Sequence, residues 1–187
     1  MRVGVLALQG DFREHADLLT GMGAEPVLVR HADALRGIDA LVIPGGESTT
    51  IGKLAERFEL LEPLREVVRL GTPTLGTCAG LIFLATATTG PSQIHLGLLD
   101  VVVERNAFGT QVDSFEADLD VSGLADPVHA VFIRAPVVAK VGAEVEVLAA
   151  VGEDPVMVRQ GNIVATSFHP ELTGETRIHE LILRGEG

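Results

Sequence analysis

The first half of the chain alternates between continuous apolar runs and segments whose apolar residues recur at helical spacing. The apolar runs lie at residues 3–8, 26–30, 40–43 and 73–75. Runs without polar alternation are typical of strands that are buried on both faces of a parallel sheet. Strands that alternate with helices form βαβ units. The pattern therefore predicts an α/β fold with a doubly wound, mainly parallel sheet and flanking helices.

Helical segments follow or separate these runs. The predicted helices span residues 12–22, 48–58, 60–70, 81–85 and 174–184. Asp11 is placed to cap the first helix, and Ser48 or Thr49 to cap the second. Short side chains with an oxygen atom favour these positions because they accept hydrogen bonds from free backbone N–H groups.

The pattern changes after the fourth helix. Residues 86–97 have the composition of a loop, and short strands without helices between them follow at residues 98–104, 112–121, 128–135, 145–152 and 155–160, with a last strand at 162–168. Some of them alternate in polarity, which is typical of antiparallel strands at the edge of a sheet. We therefore predict a flavodoxin-like α/β fold with an added antiparallel region. A chain of 187 residues suits one domain, spanning residues 1–187.

Composition and charge exclude several classes of function. The chain carries 26 acidic and 14 basic residues, a net charge of −12, and it lacks the basic clusters of nucleic-acid-binding proteins. The acidity is interpreted as a solvated surface. One cysteine permits no internal disulfide and suits a reducing compartment. There is no signal-peptide pattern and no apolar run near the ~18 residues that span a membrane, so we expect a soluble, cytoplasmic protein without membrane contact.

The cysteine lies in the motif Gly76-Thr77-Cys78-Ala79-Gly80, between a predicted strand and a predicted helix. This is the context of a nucleophile elbow, in which a sharp turn exposes the central side chain and flanking glycines let strand and helix approach. A helix N-terminus also favours the thiolate. The alternative is a lone buried cysteine that acts as a small apolar side chain. The context favours Cys78 as a nucleophile.

A second turn, Pro44-Gly45-Gly46-Glu47-Ser48, follows the third predicted strand. Its glycines leave backbone N–H groups open at a helix start, which suits an anion or a developing oxyanion. Alone, this turn is better explained as an ordinary connection between strand and helix.

His169 ends the last apolar strand, in the sequence His169-Pro170-Glu171. In an extended segment, side chains two residues apart leave on the same side, so Glu171 is expected to reach the ring of His169. The carboxyl ends of parallel strands share one edge of the sheet, which brings His169 near Cys78 and the Gly45-Gly46 turn. A surface histidine is the alternative, but a thiol nucleophile requires a base and an orienting group. We therefore predict a triad of Cys78, His169 and Glu171.

The remaining histidines, among them His15 and His179 on predicted helices, lack such neighbours in the sequence. They form no cluster with the spacing of metal ligands. The sequence therefore predicts no metal site and no cofactor.

The cysteine and histidine motifs together resemble those of the class I (triad) glutamine amidotransferases. Further blocks are similar to the glutaminase subunits of pyridoxal 5′-phosphate synthase, which serve vitamin B6 biosynthesis, and the similarity covers nearly the whole chain. These blocks are Gly4-Val5-Leu6-Ala7-Leu8-Gln9-Gly10, Arg13-Glu14-His15, Pro44-Gly45-Gly46-Glu47-Ser48-Thr49-Thr50, Arg105-Asn106-Ala107-Phe108-Gly109, Asp113-Ser114-Phe115 and Phe132-Ile133-Arg134-Ala135-Pro136.

The resemblance implies hydrolysis of L-glutamine to L-glutamate and ammonia, and delivery of the ammonia to a (β/α)8-barrel synthase subunit that activates the glutaminase on docking. It implies that glutamine is held by Gly46, Glu47, Ser48, Arg105, Ile133 and Arg134. Backbone N–H groups of Gly46 and Ala79 are expected to meet the oxyanion. An arginine can bind an α-carboxylate through two hydrogen bonds, although each arginine alone would also suit a surface ion pair.

Two positions depart from the family pattern. Thr110 stands where we expect arginine, and Asp11 stands where alanine is more usual. The first change puts in question a local salt bridge or part of the partner interface. Two other functions stay open on the sequence: a cysteine peptidase or deglycase-like hydrolase, which needs no arginine clamp, and a non-catalytic regulatory subunit.

Overall fold

The structure is a computed structural model that describes residues 1–105 and 114–184. Its strands are, in chain order, β1 (Arg2–Leu6), β2 (Glu25–Val29), β3 (Ala40–Ile43), β4 (Thr74–Thr77), β5 (Ala85–Thr89), β6 (Leu99–Glu104), β7 (Ser114–Leu119), β8 (Val128–Ile133), β9 (Val137–Val141), β10 (Glu146–Val151), β11 (Asp154–Gln160) and β12 (Ile163–Thr166). Its helices are α1 (Phe12–Gly21), α2 (Ser48–Arg57), α3 (Leu61–Arg69), α4 (Ala79–Leu84), α5 (Pro170–Thr173) and α6 (Thr176–Leu183), with one 3₁₀ turn at Ala32–Leu35.

A seven-stranded sheet organises the described residues, in the order β10-β11-β12-β4-β3-β1-β2. The strands β12, β4, β3, β1 and β2 pair in parallel. The strands β10 and β11 extend this sheet as antiparallel neighbours of β12. The predicted fold class, a mainly parallel doubly wound sheet with an antiparallel addition at its edge, is confirmed.

Burial explains why the central strands carry continuous apolar runs. Every residue of β3, β4 and β12 is buried, because helices cover both faces of the sheet. One face packs on α2, α3 and α4, with Leu41, Ile51 and Leu64 in its core. The other face packs on α1 and α6, with Leu19 and Ile178 in its core. Full burial of each such side chain stabilises the fold by roughly 1.5–3 kcal/mol.

The second half of the chain differs from the prediction in two places. Residues 85–89, for the most part predicted as loop, form β5, which pairs in parallel with β6. The strand β9, which was not predicted, completes a separate three-stranded sheet with the order β5-β6-β9. The strands β7 and β8 form an antiparallel pair of their own. The predicted strand at residues 112–121 is described only from Ser114.

Two close approaches of the backbone bring the turns at the carboxyl edge of the sheet together. A Cβ on Gly10 would lie 1.8 Å from the carbonyl oxygen of Gly45, and a Cβ on Gly80 would lie 2.0 Å from that of Ile43. The turn after β1 therefore packs directly on the turn after β3, and the start of α4 on the end of β3. Only glycine permits such contacts.

Within residues 1–105 and 114–184, no helix has both the length and the apolar composition that crossing a membrane requires.

Candidate active site

Cys78 occupies a strained turn between β4 and α4. Its backbone has φ 48° and ψ −101°, a conformation that costs a residue other than glycine roughly 1–3 kcal/mol and persists only where its surroundings impose it. Its N–H donates to the carbonyl of Thr166 over 2.7 Å, which ties the turn to β12. A Cβ on Gly76 would lie 2.5 Å from the Leu84 side chain. The predicted strand-turn-helix elbow is present.

His169 and Glu171 contact each other as predicted, but the local structure differs from the prediction. His169 is the residue before α5, and Glu171 lies in the first turn of that short helix rather than in an extended segment. The ring nitrogen Nδ1 of His169 lies 2.7 Å from Oε1 of Glu171. Both side chains are buried. Pro170 begins the helix, where a missing N–H costs nothing, and turns Glu171 back onto the ring.

Two hydrogen bonds set the charge of His169. Burial alone would lower its pKa, but hydrogen bonds to Cys78 and Glu171 outweigh burial and raise the pKa to about 10. The pKa of the Glu171 carboxyl is raised by burial, and its hydrogen bond to His169 offsets part of this change. At neutral pH, His169 therefore carries a proton between a sulfur and a carboxylate.

Cys78 and His169 face a cavity of about 370 Å³ at the carboxyl edge of the parallel strands. This volume is within the size range of small-molecule sites. Apart from Glu171, every residue that the sequence analysis assigned to the site lines this cavity: Gly46, Glu47, Ser48, Cys78, Ala79, Arg105, Ile133, Arg134 and His169. The cavity is also lined by Gln9, Asp11, Ile82 and Pro136. The Gly45-Gly46 turn contacts the histidine directly, since a Cβ on Gly45 would lie 2.5 Å from Cε1 of His169.

Glu47, rather than Ser48 or Thr49, caps α2. Its carboxylate accepts hydrogen bonds from the N–H of Thr49 over 3.1 Å and of Thr50 over 2.7 Å. Burial would raise the pKa of Glu47, but these hydrogen bonds and that from the Thr50 hydroxyl outweigh it and lower the pKa to about 2. Arg105 Nη2 lies 3.4 Å from Glu47 Oε1. The cavity thus presents a cation and an anion side by side.

Ser48 and Arg134 meet the cavity in different ways. The Ser48 side chain is buried and donates to Oε1 of Gln93 over 3.1 Å, so its hydroxyl is already engaged. Arg134 follows β8 with φ 43°, a left-handed conformation that is uncommon for a residue with a side chain. Ile133 precedes it at the cavity and is partly exposed.

Two residues of the turn after β1 belong to the site although the sequence analysis did not assign them to it. The side-chain oxygen of Gln9 accepts a hydrogen bond from the N–H of Glu47 over 2.7 Å. Asp11 precedes α1 as predicted, but its side chain makes no capping hydrogen bond within the described part of the chain. Instead, its Oδ2 lies 3.5 Å from Nδ1 of His169. The rule that places sites at the carboxyl ends of parallel strands would have pointed to this turn.

His15 and His179 are also closer to the site than the sequence suggested. Both are completely buried, and His15 Nε2 lies 3.3 Å from Oε2 of Glu171. These histidines lack such neighbours in the sequence, and the fold brings them to Glu171 from distant parts of the chain.

Three side chains of the site, Asp11, His169 and Glu171, offer possible ligand atoms that lie within 4.8 Å of one another. The histidine nitrogen in this group is the one that is hydrogen-bonded to Glu171, so a cation would have to displace that bond. We assign the group to the histidine–carboxylate pair, and the absence of a metal stays a prediction. Thr110 lies outside the described residues.

The doubly wound sheet and the grouping of Cys78, His169 and Glu171 at one cavity define a class of proteins, the α/β enzymes that are built on a cysteine elbow. The sequence model of the SNO glutamine amidotransferase family matches residues 5–185, and the chain belongs to this family.

Individual relatives agree with this assignment. The chain is 63% identical to the pyridoxal 5′-phosphate synthase subunit PdxT of Frankia casuarinae, over 97% of this chain and 93% of the relative. It is 59% identical to the protein of the same name from Pelotomaculum thermopropionicum, over 98% of this chain and 94% of the relative. The chain is thus similar to these proteins over nearly its whole length.

Solved structures show the same fold. A crystal structure described as a glutamine amidotransferase superposes with a TM-score of 0.94 at 54% identity, covering 98% of this chain and 97% of that chain. The structure of PurLQS from Thermotoga maritima superposes with a TM-score of 0.72 at 18% identity, covering 98% of this chain and 97% of that chain. At that identity, the likeness concerns the fold alone.

Proposed function

We propose that this chain is the glutaminase subunit of a pyridoxal 5′-phosphate synthase. In this role it hydrolyses L-glutamine to L-glutamate and ammonia and passes the ammonia to a (β/α)8-barrel synthase subunit. The observation that carries the proposal is the cavity shared by Cys78 and His169, with Glu171 behind the histidine, in a chain of the SNO glutamine amidotransferase family. The names of its relatives support the biosynthetic role.

Cys78, His169 and Glu171 carry out the reaction in this proposal. With the proton on His169, the Cys78 thiolate attacks the γ-carboxamide carbon of glutamine, which forms a C–S bond and moves the carbonyl electron pair onto oxygen. Backbone N–H groups of Ala79 and Gly46 meet this oxyanion, and each such donor is worth ~3 kcal/mol in other enzymes. Collapse of the intermediate breaks the C–N bond while His169 gives its proton to the departing ammonia.

Water completes the cycle. His169, now neutral, takes a proton from a water molecule as that water attacks the γ-glutamyl thioester, and cleavage of the C–S bond releases glutamate and restores the thiolate. Glu171 accepts the hydrogen bond from Nδ1 and fixes the orientation of the ring, as the third member of such triads does. This division of roles is supported by the 2.7 Å contact between His169 and Glu171.

The charges at the cavity suit an amino acid. We propose that Arg105 and Arg134 bind the α-carboxylate of glutamine and that Glu47 binds its α-amino group, with Gly46, Ser48 and Ile133 forming the remaining wall. Arg105 and Glu47 lie 3.4 Å apart, so a zwitterionic ligand would find opposite charges at matching positions. A peptide or an aldehyde does not carry both charges on one carbon atom, as a free amino acid does, which disfavours the peptidase and deglycase alternatives.

The deciding experiment measures ammonia release from L-glutamine by this chain alone and with an added barrel synthase subunit. We expect little release by the chain alone and a large gain on mixing, with Cys78→Ala as the inactive control. Full activity of the isolated chain would support the glutaminase activity but contradict its activation by the partner. A folded chain that releases no ammonia in either condition would overturn the proposal in favour of a regulatory subunit.

The rate of alkylation at Cys78 provides a second measurement, because the chain has a single cysteine. L-Glutamine or an electrophile that mimics it should compete at this residue, whereas short peptides and glyoxals should not. Protection by peptides or glyoxals instead would favour a different hydrolase.

A further inference from the structure

A buried polar cluster lies behind Glu171, on the side away from the cavity. It joins His15 of α1, His179 of α6, Thr77 of β4 and Glu171 of α5. His15 Nδ1 lies 2.8 Å from His179 Nε2, and His15 Nε2 lies 3.1 Å from the Thr77 hydroxyl and 3.3 Å from Glu171 Oε2. Both histidines and Thr77 are completely buried. Four separate elements thus contribute one side chain each, and of these side chains only Glu171 has a part in the reaction proposed above.

The Glu171 carboxylate lies between two imidazoles. Its Oε1 faces Nδ1 of His169 at 2.7 Å, and its Oε2 faces Nε2 of His15 at 3.3 Å. A buried carboxylate is costly unless its oxygens accept hydrogen bonds. The ring of His169 serves Oε1, whereas Oε2 is buried and makes no hydrogen bond within the described part of the chain. His15 Nε2, at 3.3 Å, is the group placed to supply one.

The charges of the two buried histidines suit them to this task. Burial lowers the pKa of His15 well below its ordinary value, and the neighbouring His179 and His169 add to this effect. Burial lowers the pKa of His179 to about 4, although Glu175 acts in the opposite direction. Both rings are therefore neutral at pH 7, and each carries a single N–H group.

The positions of these hydrogens follow from the contacts. Nε2 of His15 faces the Thr77 hydroxyl, which can donate or accept, and the Glu171 carboxylate, which only accepts. A hydrogen on Nε2 suits both neighbours, and we place it there. Nδ1 of His15 is then an acceptor, and it requires the N–H of His179 on Nε2. The Thr77 hydroxyl oxygen shares the hydrogen of His15 Nε2. With the hydrogens so placed, the donors run from His179 to His15, and from His15 toward Thr77 and Glu171.

We propose that His15 and His179 are positioning residues for the reaction proposed above: His15, oriented by His179, donates a hydrogen bond to the second oxygen of Glu171 and holds the carboxylate toward His169. Burial and the charge of Asp11 both raise the pKa of Glu171. A hydrogen bond from His15 opposes such a rise, because it favours the charged form of the carboxyl. Through Glu171, the pair supports the protonated state of His169. This inference rests on the proposed function, since it assigns a role in the same site.

The first test determines which ring nitrogens of His15 and His179 carry a hydrogen. Long-range ¹H–¹⁵N correlation spectra of the ¹⁵N-labelled full chain at pH 7 distinguish the two neutral tautomers and the imidazolium. Triple-resonance spectra of the same chain, labelled with ¹³C and ¹⁵N, assign the ring signals through the backbone. We expect both rings to be neutral with the hydrogen on Nε2. A hydrogen on Nδ1 of His15, or a charged His15, would remove the donor to Glu171 and overturn the proposal. This measurement uses the unmodified protein, so it decides the question even if variants fail to fold.

The second test separates positioning from packing with two substitutions of similar size. His15→Gln keeps a donor near the position of Nε2, whereas His15→Met fills the space without one. In the complex with the synthase subunit and L-glutamine, we expect His15→Met to lower kcat by about 10- to 100-fold, the range for a lost hydrogen bond to a charged group, with KM changed by less than about threefold. His15→Gln should recover most of the loss.

The control is His129→Gln, which changes an exposed histidine that contacts Asp118 and Glu116 on the surface, and it should behave like the wild type. Equal losses in folded His15→Gln and His15→Met variants would indicate packing rather than hydrogen bonding and overturn the proposal, as would full activity of His15→Met. If the wild-type complex releases no ammonia, the proposed function fails, while the tautomer of His15 still decides the hydrogen-bonding inference.

Discussion

The two sides of the Glu171 carboxylate hold buried histidines with opposite charge behaviour. On the cavity side, the pKa of His169 is raised to about 10. On the interior side, the pKa of His179 is lowered to about 4, and that of His15 also falls well below its ordinary value. Burial lowers the pKa of all three rings. His169 differs because its hydrogen bonds to Cys78 and Glu171 raise its pKa, whereas His15 and His179 mainly contact each other.

This difference teaches how one carboxylate can serve two environments. A protonated His169 needs an anion beside it, and a buried anion needs donors that carry no competing charge of their own. The neutral pair behind Glu171 meets the second requirement without a further buried charge. Charge is thereby confined to the cavity side, where Arg105 and Glu47 also lie. The substitutions predicted below each remove one side chain from this arrangement of charged and neutral groups around Glu171.

Removal of the sulfur should have the largest effect. We expect Cys78→Ala to reduce ammonia release by the synthase complex by at least about 10⁴-fold, since loss of a nucleophile removes the reaction path. The pKa of His169 should also fall, because the hydrogen bond to Cys78 that raises it is gone. The ¹⁵N chemical shifts of the ring as a function of pH measure this change. Release of ammonia at the wild-type rate would refute the mechanism.

Neutralising the Glu171 carboxylate should lower kcat less than removing the His169 ring does. Glu171→Gln keeps the shape but loses the charge, so we expect kcat to fall about 10²-fold, against about 10⁴-fold for His169→Ala. The pKa of His169 should drop below 10 in the same variant. Ammonia release and ring titration measure the two effects. Equal losses of kcat in both variants would mean that Glu171 does more than orient the ring.

The buried histidines His15 and His179 should lower the free energy of unfolding at acidic pH. A histidine with a lowered pKa in the folded state binds protons more readily when unfolded, so its contribution is complete above pH 6.5 and is lost as the pH falls toward 4. For His179 this loss amounts to about 3 kcal/mol. Urea unfolding followed by circular dichroism measures it, since the chain has neither tryptophan nor tyrosine. His179→Gln should flatten this pH dependence, and an unchanged dependence would show that the ring does not resist protonation.

The sequence predicted the parallel sheet well because its signal is local. Each central strand is buried on both faces and therefore carries a continuous apolar run. The strand β5 was missed because its sequence, Ala85-Thr86-Ala87-Thr88-Thr89, is small and polar, and its strand conformation depends on pairing with β6. Tertiary contacts of this kind override local preference.

The site shows the same limit. Cys78 and the Gly45-Gly46 turn could be found because their motifs demand particular backbone shapes. The contact between His15 and His179 spans 164 positions of the chain, and nothing in either segment reveals the other. Glu171 was predicted to contact His169 on the assumption of an extended segment, whereas a helical turn makes the contact. A correct contact can therefore rest on incorrect local geometry.

Substitution of Asp11 should have the smallest effect of those considered. Asp11 is a second carboxylate near His169, on the side of the cavity. Its Oδ2 is 3.5 Å from Nδ1, and its side chain is 37% exposed, whereas that of Glu171 is fully buried. Water screens an exposed charge, so we expect Asp11→Ala to lower the pKa of His169 by less than Glu171→Gln does and to change kcat by no more than about threefold.

The upper limb of the pH–rate profile of the synthase complex measures the Asp11 effect, with Asp17→Ala, at an exposed position of the same helix, as the matched control. An effect as large as that of Glu171→Gln would make Asp11 an equal partner of His169 and would weaken the distinction drawn between the two sides. A small effect would agree with the resemblance, in which alanine is the more usual residue at position 11. It would mean that His169 requires only the carboxylate of Glu171, which His15 and His179 hold from the interior in the proposal above.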